Sequence, residues 1–162
     1  MRRAVLSALL LLACGEEEAT TPVDVVADIE VLRLLMIDDP AVQPLEEVER
    51  VAEDRPYEAA RLLRTGVLPG ARRQVERAER AEVGSREGQR LRRRLVRGYR
   101  DRLAALQDYR AVLEDGARDP DALLGALRAQ SAADRALLEV DAEMERLAPT
   151  GTREPPEAPP AR

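Results

Sequence analysis

Apolar residues recur along most of this chain at the three-and-four spacing of a helix face. Val25, Ile29, Leu32 and Met36 form the first such stripe. Val26, Val31, Leu34, Leu35 and Ile37 widen it, so this first helix is expected to be the most buried; its β-branched content leaves a strand as the alternative. Thr21 suits the N-cap and Pro22 the first helical position. Asp38-Asp39-Pro40 ends the segment.

Pro44 opens a second, short helix with Leu45, Val48 and Val51 inward. Pro56 restarts a third, with Tyr57, Ala60 and Leu63 on one side, and Gly66, Pro69 and Gly70 close it. From Ala71 to Asp115 there is no proline, and one long helix is expected, softened or kinked around Gly84, Ser85 and Gly88. Its first half offers only Val75 and Val83; its second carries Leu91, Leu95, Tyr99, Leu103, Leu106 and Leu113. A turn follows at Gly116–Pro120, with Asp119 as N-cap and Pro120 behind it. The last helix keeps a heptad register through Leu123, Ala126, Gln130, Ala133, Leu137, Val140, Met144 and Leu147. The short turn folds it back antiparallel on its predecessor; a coiled coil between copies is the other use of the same seam. The fold class is therefore all-α, with four or five helices and a long antiparallel hairpin near the C-terminus.

Composition changes this picture mainly by exclusion. Of 162 residues, 35% are charged, and every basic residue is arginine. Histidine, tryptophan and phenylalanine are absent, and Cys14 is the single cysteine. That removes histidine base chemistry and metal ligation, and any disulfide within one copy of the chain. A Gly-rich phosphate loop, a nucleophile elbow and metal-ligand spacing are also missing. Paired carboxylates are the catalytic chemistry the composition still allows, but no pair is marked out by apolar surroundings. Asp38-Asp39 is a conceivable calcium ligand pair; a helix stop is the simpler use. The expectation is a non-enzyme without cofactor, metal or catalytic residues.

The N-terminus supplies the sharpest signal. Arg2 and Arg3 precede an apolar run from Ala4 to Ala13, interrupted only by Ser7. Ten helical residues cover about 15 Å, half the roughly 30 Å of a bilayer's hydrocarbon, so the run fits a signal-peptide core rather than a span. Leu11-Leu12-Ala13-Cys14 then resembles the lipobox of bacterial lipoproteins. The resemblance implies diacylglyceryl attachment to the Cys14 sulfur, cleavage after Ala13, and often a further acyl group such as palmitate on the new amine. Two or more acyl chains anchor stably where one does not. Gly15, rather than Asp, follows the cysteine, which in that family favours the outer membrane where the organism has one.

This divides the chain into residues 1–13 as signal peptide, 14–21 as lipidated cysteine and polar tether, 22–148 as helical domain, and 149–162 as a Pro-rich disordered tail. Cleavage would remove Arg2 and Arg3 and take the formal charge from −5 to −7. A flexible tether of that length reaches about 15 Å, so the helical body would hang close to the lipid.

Against this acidic background, residues 86–102 hold eight arginines and only two acids, Glu87 and Asp101. Arg86, Arg90, Arg93, Arg97 and Arg100 line one helix face, roughly opposite Leu91 and Leu95. Guanidinium forks grip phosphate, carboxylate or sulfate bidentately, so the stripe suits anionic lipid, glycan or an acidic protein. The plainer use is a solvated face paired with acids of neighbouring helices. Nucleic acid is not expected, since interleaved aromatics are lacking. The sequence thus points to a lipid-anchored envelope protein with a structural or partner-binding role, the partner being a protein or envelope polymer, or else to a binder of anionic lipid or glycan.

Overall fold

The computed structural model describes residues 22–148, all helix and connecting turns with no strand among them. Cys14, the signal and tether, and the Pro-rich tail lie outside the described residues. The elements are α1 (Pro22–Ile37), α2 (Val42–Ala52), α3 (Pro56–Leu62), a π-helical turn (Leu63–Val67), α4 (Leu68–Arg80), α5 (Arg86–Glu114) and α6 (Pro120–Leu147). With α3, the π-turn and α4 continuous, the described residues make five helical rods.

The last two rods form the antiparallel hairpin. Each is about 42 Å long at 1.5 Å per residue. The turn matches the sequence pattern: Gly116 takes a positive φ, and the Asp119 carboxylate accepts hydrogen bonds from the amides of Asp121 and Ala122. The α6 seam faces α5 within the same chain, with Ala126, Ala133, Leu137, Val140 and Met144 buried. Leu147, the last position of the seam, is 37% exposed. Gly98 lets the hairpin close tightly, because a Cβ there would stand 2.7 Å from a Leu137 methyl.

Two apolar cores flank the hairpin. One gathers Leu45, Val48, Val51, Leu63, Val67 and Leu68 against Leu106, Tyr109 and Leu113 near the turn. The other gathers Ile29, Leu32, Val75 and Ala78 against Leu91, Leu95, Tyr99, Val140 and Met144 near the open end. Leu103 packs against both.

Four expectations need correction. First, Gly66, Pro69 and Gly70 do not end the third helix. The π-turn carries the chain through, with the Leu68 amide bonding back to the Leu63 carbonyl; the widened turn precedes Pro69, which has no amide to donate. The two glycines serve close packing instead: a Cβ at Gly66 would lie 3.3 Å from Pro44, and one at Gly70 would lie 2.7 Å from the Pro40 carbonyl oxygen. Second, residues 71–115 are not one helix. α4 ends at Arg80, residues 81–85 are non-helical, and α5 restarts from Ser85, whose Oγ accepts from the Gly88 amide at 2.9 Å.

Third, α1 is not the most buried helix. Ile29 and Leu32 are fully enclosed, yet Leu34 is 66% and Ile37 82% exposed, with Val31 also exposed. Fourth, Tyr57 is exposed while its neighbours Ala60 and Leu63 are buried. The second helix begins at Val42, two residues before Pro44, and its buried set is Leu45, Val48 and Val51 as the spacing predicts.

Candidate functional site

The arginine stripe lies on α5 because of how that helix packs. Leu91, Leu95, Gly98 and Tyr99 face the core at helical spacing, which turns residues 93 and 97 to solvent. From that line the stripe splits three ways. Toward α6, Arg90 and Arg94 both pair with Glu143, and Arg90 also holds Glu87 with its Nε 2.8 Å from the carboxylate. Toward α4, Arg100 pairs with Glu79 at 2.6 Å, and Arg92 donates to the Ala81 carbonyl at 2.9 Å, holding the chain where it leaves α4. Between these flanks stand Arg93 and Arg97. Arg97 approaches Asp101 only to 4.0 Å, with the arginine side chain 86% exposed. Arg86 is exposed at the head of the helix.

So the structure draws Arg93, Arg97 and Arg100 together and sends Arg90 elsewhere. With Arg92, Glu79 and Asp101 they line an open groove of about 560 Å³ floored by Val96. The plainer reading accounts for the flanks, where the charge is spent on neighbouring acids. What survives for an outside anion is the central pair.

Two polar clusters escaped the sequence reading, and both are interior ties. Asp28 on α1 is buried and accepts from the amides of Gly84 at 3.0 Å and Ser85 at 2.8 Å, and from the Ser85 hydroxyl. It thus seats α1 on the N-terminus of α5, where unpaired amides favour an anion. Gly88 leaves room for it, since a Cβ there would collide with the carboxylate.

The second cluster joins three elements. Arg102 is nearly buried between Asp39, 2.6 Å away, and Asp134, 3.1 Å away. Asp39 also caps the Ala41 amide at 2.9 Å. Burial pushes the Asp134 carboxyl above the usual aspartate range; Arg102 opposes this and Asp39 adds to it. Nearby, burial raises the Tyr99 hydroxyl above the ordinary tyrosine value, against a hydrogen bond with Gln74. Gln74 in turn donates to the Leu35 carbonyl at the end of α1, and Arg77 clamps Asp38 through carbonyl and carboxylate at 2.6 and 2.9 Å. Asp38 and Asp39 therefore each bind an arginine.

A signal for both clusters was present. Asp28 falls on the buried arc of α1 with Val25, Ile29 and Leu32, and Arg102 falls one heptad after Leu95. A charge on an apolar arc requires a partner. Which partner it takes depends on contacts dozens of residues apart. No family model, curated protein or solved structure matches the chain.

Proposed function

We propose that this protein is a lipid-anchored lipoprotein of the cell envelope whose helical body has a structural or partner-binding role. The observation that carries it is Leu11-Leu12-Ala13-Cys14 at the end of a short apolar run headed by Arg2 and Arg3. The helical body supports the reading by beginning at Pro22, eight residues past that cysteine. Acyl chains on Cys14 would hold it at the membrane, with the outer membrane favoured by Gly15. Metabolic labelling with an alkyne fatty acid tests this: the protein should take up label and a Cys14→Ser chain should not. Equal labelling of both, or of neither, would refute the anchor.

A second reading is favoured by one observation, the groove around Arg93 and Arg97. In it the protein binds an anionic lipid or glycan through guanidinium pairs. Replacing Arg93 and Arg97 with Gln should then abolish retention on anionic vesicles or a sulfated glycan matrix at low salt. Unchanged retention would remove this reading.

A further inference from the structure

The outer side of α1 is mostly apolar and is uncovered. Ala27, Val31, Leu34 and Ile37 share it, all exposed. Beside it an open groove of about 480 Å³ runs between α1 and α6, with Arg33, Met36 and Ile37 on one wall and Asp141 and Glu145 on the other. Leu138, 66% exposed, stands one turn before Asp141 and so extends the apolar surface onto α6. A helix that is apolar all round is normally enclosed on every side. Here one side is enclosed and the other is not.

Covalent geometry bounds how far that helix can stand from Cys14. Eight residue steps join Cys14 to Pro22, and a chain extends at most about 3.6 Å per step, which holds the head of α1 within about 29 Å of the acylated residue by any path. The bundle's layering adds a direction. Ile29 and Leu32 face Leu91 and Leu95 across the core. Val31 and Leu34 stand on the far side of α1 from that contact, and Arg93 and Arg97 on the far side of α5. The apolar face and the arginine groove therefore look in opposite directions.

We propose that the outer face of α1 beds into the headgroup–acyl boundary of the bilayer that holds Cys14, which turns the arginine groove away from that bilayer. This rests on acylation of Cys14. Glu30 lies on the same face and is exposed, so the contact is driven by apolar burial rather than by anionic headgroups. Once the acyl chains hold the body at the bilayer, neutral phospholipid suffices for this contact and salt does not reverse it.

The chain contains no tryptophan, so an introduced one reports without background. The acylated full-length protein is prepared as a Leu34→Trp chain and as an Arg97→Trp chain, both changes at exposed positions. Each is reconstituted into phosphatidylcholine vesicles with and without brominated acyl chains. Both chains should float with the vesicles. Bromine should then quench most of the emission from position 34 and leave that from position 97 unchanged. If both float and position 34 is not quenched, the bedding of α1 is wrong and the anchor stands. A blue-shifted but unquenched signal there would assign the face to a second copy instead. If neither chain floats, the anchor fails and this inference fails with it.

Discussion

Around Leu63 and Leu106 the bundle is packed with apolar side chains, whereas around Leu32 and Leu95 it is pinned by polar ones. Each buried polar residue among those described, Asp28, Gln74 and Ser85, belongs to the second region. The first region is built from neighbouring segments, α2 through the start of α4, folded onto the hairpin turn. Local spacing sets the register of α2, whose inward residues are Leu45, Val48 and Val51. The second must recruit α1 from 57 residues before the Ser85 it contacts. Because α1 carries large apolar residues on both its inner and outer sides, burial alone gives it little preferred rotation. Asp28 at one end, with the Gln74 and Arg77 contacts to Leu35 and Asp38 at the other, supplies that preference. Buried polar groups here act as specifiers of orientation.

The largest effects should come from truncating each core. Leu63→Ala and Leu32→Ala, both at positions with no exposure, should each cost roughly 2–5 kcal/mol. In chemical denaturation the losses should be similar. Hydrogen exchange should separate them, since Leu32→Ala deprotects α1 while α2 and α3 stay protected. Deprotection of α2 first would break the division into two regions.

Asp28→Ala should come next. It leaves the amides of Gly84 and Ser85 without their acceptor, at about 3 kcal/mol given the usual 1–3 per orphaned buried group. If polar ties are what orient α1, this loss exceeds that from any exposed acid on the same helix. A loss below about 1 kcal/mol, within the range of ordinary surface substitutions, would contradict it.

The two buried tyrosines sharpen the comparison at high pH. Burial raises both Tyr99, in the second region, and Tyr109, in the first, where Glu49 adds to the rise. The unfolded chain gives up these protons near the ordinary value of 10.0 and the folded chain only above it. Their contribution to stability is therefore complete below that pH and is lost as pH climbs through the folded-state value. Tyr99→Phe should remove one part of this alkaline decline and leave the part due to Tyr109. An unchanged decline would show that Tyr99 is not held in its neutral form by the fold.

The smallest effect should be Arg97→Gln, since the side chain is 86% exposed and its ion pair with Asp101 is long, at 4.0 Å. Its melting free energy should stay within about 0.5 kcal/mol of the parent, as exposed ion pairs contribute little. A larger loss would make Arg97 part of the scaffold rather than an available cation.

Much of this organisation was legible beforehand, for identifiable reasons. The hairpin, its turn and the buried stripe of α5 follow from periodicity and from the Asp119-Pro120 cap. The inward set of α2 follows in the same way. Glycines misled in both directions. Gly66 and Gly70 read as breakers but are close-approach points against Pro40 and Pro44, and a tertiary contact leaves no local trace. Gly84 and Gly88 read as a soft spot, but Gly84 lies inside a full break and Gly88 in the first turn of α5 beyond it, because Asp28 takes over the amides that a continuous helix would have paired. The inward stripe of α1, Val25, Ile29, Leu32 and Met36, was legible from its spacing; that Val31, Leu34 and Ile37 stay uncovered was not, since large apolar residues also lie on the other side. The arginine stripe was legible as a stripe. Its reduction to Arg93 and Arg97 required Glu79 and Glu143, which come from other helices.

The central claim is that Cys14 holds this helical body at a membrane. Fractionation of cells expressing either the parent chain or Cys14→Ser tests it most directly. The parent should stay in the membrane pellet through a high-salt wash, and Cys14→Ser should move to the soluble fraction. Equal retention of the two in the washed pellet would contradict the account.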